Sequence, residues 1–434
     1  MKFYNREKEL DILKKVEASS HSKSKMSVLI GRRRVGKTTL IKHAYPNCLY
    51  FFVARKSEKL LCDEFVSIIE TSLDIKVLGK FDRFALLFEY LMEITKATPI
   101  TLVVDEFQEF LAINPSVYSE IQNIWDSRKD NSKLNLVLCG SIYTLMKRIF
   151  EDKKEPLFGR ADIKMTLKPF SVLTIKNILR EHNPKFSSED LLLFYTLTGG
   201  VAKYVELFVD NKTLSFDKMI DFFFDEFSLF IDEGKNLLIE EFGKDYTIYF
   251  SILSLIASSK TSRPEIESII DKNIGGHLDR LEHEYTIIEK VRPAFSKEGG
   301  RIVKYEIIDN FFKFWFRFVY KNRSAIEIEN YNYVKSCVKR DYKTYSGALL
   351  EKYFREKIKL SLRYSMIGNY WEKGNKNEID IVAVNDEKKV MCFAEVKRNK
   401  NKINIEELKL KAQKLVDSNP KYRIEYISLG LGDM

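Results

Sequence analysis

The sequence predicts an α/β protein that opens with a parallel sheet covered by helices and closes with a second, smaller α/β domain. Three observations indicate this class. Over the first 170 of 434 residues, short apolar runs rich in β-branched side chains alternate with longer helical patterns, as in parallel sheets with helices on both faces. Residues 171–243 carry no strand signal, and β-rich runs return in the last hundred residues. A hydrophobic content of 45% is enough for large cores and excludes a disordered or low-complexity chain.

Each predicted element follows from its hydrophobic periodicity. In the first region, residues 1–170, strands are predicted at 26–30, 49–53, 100–104, 134–139 and 163–167, and helices at 37–43, 57–73, 81–95 and 115–129. Leu, Phe and Ile recur at helical intervals in residues 171–243, which predicts a small helical bundle. Residues 244–324 predict three helices, a hairpin of strands 287–292 and 302–308, and an aromatic helix near 311–320. Residues 325–434 predict a helix at 345–360, strands at 364–371, 379–384 and 390–397, a helix at 405–416 and a strand at 423–429.

The net charge of +10 is concentrated at the C-terminal end. Residues from 331 onward hold 22 Lys and Arg against 14 Asp and Glu, which accounts for +8 of it. A basic module on a nearly neutral body predicts an anionic partner, most simply nucleic acid, although solubility alone explains such charge equally well.

Three further features of the sequence bear on its location. No uncharged apolar run is long enough to span a membrane, and the N-terminus lacks the apolar core of a signal peptide. The five cysteines are scattered without metal-like spacing. We therefore expect no membrane partner, reduced thiols and a cytoplasmic location.

A phosphate-binding loop is predicted between the first strand and the helix that follows it. Its residues match the pattern GxxxxGK[ST] and are followed by one more threonine: Gly31, Arg32, Arg33, Arg34, Val35, Gly36, Lys37, Thr38 and Thr39. Backbone N–H groups of such a loop surround the β-phosphate, and the helix adds the positive end of its dipole. Lys37 is expected to reach the β- and γ-phosphates, and Thr38 to ligate Mg²⁺.

Paired carboxylates, Asp105 and Glu106, end the third predicted strand. Asp105 is expected to hold Mg²⁺ through water, and Glu106 to polarise the attacking water. Without the loop upstream, the same pair would be interpreted as a solvated strand end. One strand lies between the loop and the acids in sequence, which is the order expected when a catalytic Glu follows a metal-binding Asp.

These motifs resemble the archaeal-type ATPases, in the STAND and AAA+-like branch of the P-loop NTPases. The opening Arg6-Glu7-Lys8-Glu9-Leu10 is similar to the family segment that lies near the adenine. Leu138-Cys139-Gly140-Ser141 resembles its sensor strand, which implies that Ser141 senses the γ-phosphate. Residues 156–160 resemble its Pro-Leu-Tyr-Gly-Arg element, which makes Arg160 a candidate arginine finger. Residues 198–204 resemble its Gly-Gly-x-Pro segment, with Ala202 in place of the proline.

Residues 245–308 have the order of a winged helix, three short helices and a two-stranded wing. In such modules the third helix, predicted at 273–285, enters the major groove. That helix mixes histidine and arginine with Asp279, Glu282 and Glu284, which is poor for phosphate contact. For this helix, contact with another protein or relay of a conformational change is therefore as good an interpretation as the reading of DNA bases. Residues 305–319 resemble the aromatic signature that follows this module in the same archaeal family.

The last region carries charged residues on neighbouring predicted strands. Asp380 lies on one strand, and Glu395 and Lys397 share a face of the next. Asp380 beside Glu395 would give two oxygens for a divalent metal, and Lys397 would then act on a water near the scissile phosphate. Glu351, on the preceding helix, is a possible further ligand. The arrangement resembles the PD-(D/E)XK nucleases, with Ile379 in place of their usual proline; the alternative is three charged residues on exposed strand edges.

The resemblance implies a P-loop NTPase sheet with a helical lid, a winged helix and a restriction-endonuclease-like α/β C-terminal domain. ATP and Mg²⁺ are the implied cofactors, DNA is the implied partner, and an arginine finger acting between subunits would imply a homo-oligomer. One interpretation is an ATP-driven switch or motor that acts on DNA through its C-terminal half. A second is a signalling ATPase whose C-terminal half binds protein or DNA without cutting. A third is a transcription regulator that uses nucleotide only as a structural ligand.

Overall fold

The computed structural model describes residues 1–243, 246–297, 299–300 and 302–434. By its internal contacts the chain divides into two compact units, one of residues Lys2–Pro169 and one of Met1 with Phe170–Met434. The predicted starts of the third region, at residue 244, and of its winged helix, at residue 245, lie outside the described residues. Within the described ranges, no helix is both long and apolar enough to cross a membrane.

The first unit is built on a five-stranded sheet, which confirms the predicted parallel α/β class. Its strands are β1 (Lys25–Ile30), β2 (Leu49–Phe52), β3 (Ile100–Asp105), β4 (Leu134–Gly140) and β5 (Ile163–Thr166). All pairs are parallel, and the order across the sheet is β2-β3-β4-β1-β5. The strand that precedes the phosphate loop therefore lies beside β4 rather than beside β3.

Helices cover both faces of this sheet. They are α1 (Glu7–Ser20), α2 (Lys37–Ala44), α3 (Glu58–Leu73), α4 (Phe84–Ile94), α5 (Phe110–Ile113), α6 (Val117–Arg128) and α7 (Tyr143–Glu151). Successive residues of β1 belong to different cores: Met26 and Val28 pack with α3, α4 and α6, whereas Leu29 packs with α1 and α2. The central strands β1 and β4 are buried on both faces and are therefore mostly apolar, whereas the edge strand β5 alternates between half-buried and exposed residues.

The second unit begins with helices and a small hairpin. The elements are α8 (Val172–His182), α9 (Ser188–Thr198), α10 (Ala202–Asp210), α11 (Phe216–Phe223), α12 (Phe230–Phe242), α13 (Tyr246–Ala257), α14 (Arg263–Ile270), α15 (Gly275–Asp279), β6 (Ile288–Val291) and β7 (Lys304–Ile307). The helix predicted at 273–285 is split, because a π-helical turn, Arg280–Glu284, follows α15. β6 and β7 pair antiparallel.

The remaining elements form the C-terminal part of the second unit. They are α16 (Asn310–Phe314), α17 (Arg323–Glu327), α18 (Tyr331–Tyr345), α19 (Gly347–Leu360), β8 (Met366–Glu372), β9 (Lys376–Asn385), β10 (Val390–Lys397), α20 (Ile405–Asp417) and β11 (Arg423–Gly430). The sheet order is β11-β10-β9-β8; β10 and β11 are parallel and the other pairs antiparallel. Apolar residues of α20 and of β8–β10 form one core.

Aromatic packing joins the helices after residue 170 to the C-terminal part. The rings of Phe223 and Phe230 stack with centroids 4.8 Å apart, and Tyr204 contacts Phe311 of α16 at 4.7 Å. Gly234 lies against the Trp315 indole so closely that a Cβ there would be 2.4 Å from the ring. Tyr195 of α9 packs edge-on against Tyr353 of α19. These contacts pack the helices after residue 170 against α16, Trp315 and α19 within the second unit.

Candidate functional site

The predicted phosphate loop forms a turn between β1 and α2. Arg34 and Gly36 have positive φ angles of 70° and 99°, a conformation that turns backbone N–H groups inward in anion-binding loops. At Gly31, a Cβ would lie 3.0 Å from Val35 Cγ1 and 3.2 Å from the Leu167 carbonyl oxygen. The loop is therefore tightly packed at Gly31, and a side chain at this position would push Val35 or the Leu167 backbone away.

Lys37 is the buried cation of this loop. The residue is 7% exposed, and its Nζ donates to the carbonyl oxygens of Gly31 at 2.7 Å and Arg32 at 3.4 Å. Burial lowers the pKa of Lys37, while Glu106 and Asp105 act in the opposite direction. A buried ammonium that bonds only to loop carbonyls is suited to accept an anionic phosphate group.

Asp105 and Thr38 are brought together around a tyrosine that sequence reasoning missed. Asp105 Oδ1 accepts the Glu106 N–H at 3.0 Å, and Oδ2 accepts the hydroxyl of Tyr50 on β2. The pKa of Tyr50 is raised by burial first and by Asp105 second, and Thr38 acts in the opposite direction. A hydroxyl and a carboxylate at this edge suit Mg²⁺, which prefers oxygen ligands. The available signal was a tyrosine in an otherwise apolar strand beside β3.

Glu106 is held by two neighbours. Its Oε2 accepts the Ser141 hydroxyl at 2.7 Å and the Gln108 amide at 2.5 Å. Glu106 itself adopts a left-handed conformation with φ 54°, which is costly for a non-glycine residue and concentrates at functional sites. Gly140 makes room for this arrangement, since a Cβ there would be 2.4 Å from Gln108 Oε1. The structure thus places Ser141 on the predicted catalytic carboxylate, and Gln108 is a further contact that the sequence did not reveal.

The two predicted arginines have partners in the first unit. Arg160 donates to Asp126 Oδ2 from Nε at 3.0 Å and from Nη2 at 2.8 Å, and Nη1 donates to the Pro156 carbonyl oxygen. Its role as a finger stays a prediction, because it would have to leave Asp126. Arg6 is buried, bonds to Glu9 at 3.0 Å and donates to the Lys168 carbonyl oxygen at 2.7 Å.

The predicted C-terminal carboxylates lie on adjacent elements. β9 and β10 pair with Ile381 opposite Ala394, so one further step places Asp380 opposite Glu395. The Val396 N–H donates to Asp380 Oδ2 at 2.6 Å, and Arg355 of α19 donates to the Asp380 carbonyl oxygen at 3.4 Å. Asp380 and Glu395 therefore occupy one edge of the sheet.

Burial and mutual repulsion perturb these acids. Burial, followed by the charge of Asp380, raises the pKa of Glu351 to about 8. Burial, opposed by the Val396 N–H and reinforced by Glu395, raises the pKa of Asp380 to about 6. Such shifts are typical of groups that a cation would neutralise.

Lysines occupy the vicinity of Glu395 in this structure. Lys411 Nζ lies 3.3 Å and Lys397 Nζ 3.5 Å from Glu395 Oε1. Among the described residues, no three His, Cys, Asp or Glu side chains are arranged closely enough to share one metal ion. Asp380, Glu395 and Lys397 are thus brought together with Glu351 nearby, in an arrangement that salt bridges stabilise.

Comparison with known proteins bears on the first part of the chain. Residues 3–208 match the family described as an ATPase domain predominantly from Archaea. The protein is an ATPase. Residues 315–410 of this ATPase match a second family, described as archaeal and bacterial proteins of unknown function.

Similar proteins extend along most of the chain. An uncharacterised protein of Methanocaldococcus jannaschii is 29% identical to the ATPase over 407 residues, covering 91% of this chain and 87% of the relative. The solved Walker-type ATPase of Pyrococcus abyssi is 19% identical with a TM-score of 0.55, covering 72% of this chain and 96% of that one, which shows a shared fold. The ORC2 protein of Aeropyrum pernix gives 14% identity, a TM-score of 0.48, and coverage of 75% of this chain and 96% of that one.

Proposed function

We propose that the ATPase binds ATP with Mg²⁺ at the loop of residues 31–39 and uses the hydrolysis cycle to act on DNA through residues 171–434. The observation that carries the nucleotide site is the buried Lys37 with Asp105 and Glu106 close by. Bound Mg²⁺ would neutralise charge on the phosphate oxygens. Lys37 and the loop N–H groups would bind the phosphates, and Thr38 and Asp105 would hold the metal.

Glu106 is the residue that would handle the proton of the attacking water. Its carboxylate bonds to Ser141 and Gln108, so it must exchange at least one of these bonds to accept a bond from water. Ser141, which bonds to Glu106, would then connect the γ-phosphate with the position of Glu106. Arg160 would supply positive charge at the γ-phosphate, in its own subunit or in a neighbouring one.

Action on DNA is supported by the C-terminal carboxylates. Raised pKa values at Glu351 and Asp380 mean that the site favours a compensating positive charge. Asp380 and Glu395 would hold a divalent ion, and Glu351 would join them as a third ligand only after the side chains move closer together than they lie here. Lys397 would stabilise or deprotonate a water beside the scissile phosphate. Lys397 has to exchange its contact with Glu395 for this role. The hairpin of β6 and β7, after three helices, suits a winged helix.

The basic surface expected to track DNA is partly neutralised. We define this surface by seven basic residues of the last region: Lys388, Lys389, Arg398, Lys400, Lys402, Lys409 and Lys411. Four of them contact carboxylates: Arg398 bonds to Glu189, Lys400 to Asp433, Lys409 to Glu406, and Lys411 to Glu395 and Glu407. Lys388, Lys389 and Lys402 belong to the same surface. Phosphate contacts release counterions, so DNA binding should weaken by about 0.9 log units per log of salt for each phosphate contacted.

The decisive experiment measures DNA binding and cutting by the full chain, with and without ATP, in Mg²⁺ and in Mn²⁺. Asp380→Ala and Lys397→Ala should abolish cutting and leave binding largely intact, because they remove metal and water activation. Lys421→Ala, at an exposed position of the same domain, serves as the matched control. DNA binding that depends on salt but brings no cutting with either metal would leave a DNA clamp.

A second candidate function follows from the same salt bridges. Because Glu395 is paired with lysines and Arg398 joins Glu189 of α9, the C-terminal part can also serve as the output of a signalling ATPase that binds a protein or DNA without cutting. Absence of any salt-dependent DNA binding by the full chain would favour a protein partner.

A further inference from the structure

Two ion pairs align helices α11 and α18 in the second unit. Asp217 Oδ1 lies 2.6 Å from Lys339 Nζ, and one helical turn further Asp221 Oδ1 lies 3.3 Å from Lys335 Nζ. Beyond the end of α11, Asp225 lies near enough to Tyr331, the first residue of α18, to influence it electrostatically. The pKa of Tyr331 is raised by burial first and then by Glu329, Glu226, Asp232 and Asp225, which agrees with acids gathered around this ring.

We name residues 225–232 and 327–333 together the acidic–aromatic surface. These two segments contain five acids and no Lys or Arg: Asp225, Glu226, Asp232, Glu327 and Glu329. They also expose large apolar side chains, with Phe227 at 84% and Ile328 at 74%. The Phe227 N–H donates to Asp225 Oδ1 at 3.1 Å. This bond stabilises the turn that carries the exposed ring. On a chain of net charge +10, this surface is locally negative.

A surface of opposite character lies at the end of α19. Leu362 is 90% exposed with φ 53°, and Leu360 beside it is 43% exposed. They adjoin a cleft of about 260 Å³ lined by Arg363, Tyr364, Asn385, Lys388, Val390 and Arg423. Arg363 and Arg423 both contact Glu425, at 3.9 and 2.8 Å, so one carboxylate is shared by two guanidinium groups. We name residues 359–363 and this cleft the basic–leucine surface.

We propose that the acidic–aromatic surface of one copy binds the basic–leucine surface of a second copy, with Phe227 inserted into the cleft beside Arg363 and Arg423. Guanidinium groups favour aromatic faces, and Asp225 and Glu226 would accompany the ring into a region of positive charge. Leu360 and Leu362 would be covered in the same contact. Because the two surfaces differ, the contact is head-to-tail and generates a ring or a filament.

The test is sedimentation of the full chain over a range of concentrations at low and high salt. The wild type should self-associate, less strongly at high salt. Phe227→Ala should weaken association about thirtyfold, which corresponds to about 2 kcal/mol for an interface anchor. Leu78→Ala, at an apolar residue that is 81% exposed in the first unit, is the matched control and should associate like the wild type. Thermal unfolding verifies that each variant is folded.

Charge reversal tests whether the two surfaces are partners. Asp225→Lys/Glu226→Lys and Arg363→Glu/Arg423→Glu should each be monomeric alone, because each lacks one surface. Mixing them should restore association, since the intact surface of one matches the intact surface of the other. A monomeric wild type at every concentration would overturn the proposal, as would a mixture that stays monomeric. Loss of DNA binding by the Arg363→Glu/Arg423→Glu variant, with a monomeric wild type, would instead make the cleft an anion site.

Discussion

Glu351→Gln should make the second unit more stable at alkaline pH while leaving it unchanged near pH 4.5. In the folded protein, burial and Asp380 raise the pKa of Glu351 from 4.5 to about 8. Below 4.5 both the folded and the unfolded chain carry the proton, so the residue has no effect on stability. Between 4.5 and 8 the unfolded chain ionises while the folded one does not, so stability falls as the pH rises. Above 8 the full loss persists.

The size of the effect follows from the shift. One unit of pKa corresponds to about 1.4 kcal/mol, so a rise from 4.5 to about 8 sets an upper bound of about 5 kcal/mol. The Glu351 side chain keeps 30% of its surface in solvent and contacts Arg355 at 3.8 Å. We therefore expect about 2 kcal/mol at pH 9, equivalent to about 5 °C in melting temperature for a unit of this size.

The assay is thermal unfolding of the full chain in EDTA from pH 4.5 to 9, followed by tryptophan fluorescence. Trp315 and Trp371 report on the second unit, and Trp125 on the first. Glu387→Gln, at an exposed position after β9, is the control and should keep the pH dependence of the wild type. Parallel curves for the wild type and Glu351→Gln would refute the reasoning, because they would mean that Glu351 ionises equally in both states.

Four further predictions concern the nucleotide site. Lys37→Ala should abolish ATP binding in a filter or fluorescence assay, whereas Glu106→Gln should bind ATP and lose turnover, because it keeps the metal carboxylate and removes the group that accepts the water proton. Arg160→Ala should lower turnover by about 10³-fold, and mixing it with Lys37→Ala should restore activity if the finger acts between subunits. Tyr50→Phe should raise the Mg²⁺ concentration for half-maximal turnover by about tenfold, because it frees Asp105 from the hydroxyl that orients it.

Each of these has a result that would contradict it. ATP binding at the wild-type affinity in Lys37→Ala would mean that this lysine does not hold the phosphates. ATP turnover at the wild-type rate in Glu106→Gln would remove that residue from its role. Unchanged turnover in Arg160→Ala would mean that its bonds to Asp126 are its whole function. An unaltered Mg²⁺ requirement in Tyr50→Phe would show that the phenol has no influence on the metal ligand.

The sequence predicted the first sheet well because its strands are continuous apolar runs bounded by turn residues. The phosphate loop and Asp105–Glu106 were predictable for another reason. Glycines at the turn, a lysine ammonium and paired carboxylates have few chemical substitutes at such a site, so the residue types themselves form a recognisable pattern. The helix Tyr331–Tyr345 was not predicted, because only four of its fifteen residues, Val334, Cys337, Val338 and Tyr342, are buried and most of the others are polar. The third helix after residue 245 was predicted as continuous, although a π turn interrupts it.

The contacts around the site could not be predicted in the same way. Gln108 and Tyr50 reach Glu106 and Asp105 only because a left-handed turn and a neighbouring strand bring them there. Neither residue type marks a site by itself. The pairing of Arg398 with Glu189, which are 209 residues apart, depends on packing between α9 and the C-terminal part. Long-range partners of this kind have no local signal in one sequence.

The packing of α9 against α19 and of α10 against α16 bears on how the gene can be divided or recombined. The family match ends at residue 208, yet Tyr195 lies against Tyr353 and Tyr204 against Phe311. A break at that point would expose aromatic surface on both fragments, and a hybrid gene joined there would have to match a foreign interior. A junction near residue 169 cuts between compact units instead. Exchange of ATPase cores among relatives should therefore leave the helices after residue 170 with their own C-terminal sheet.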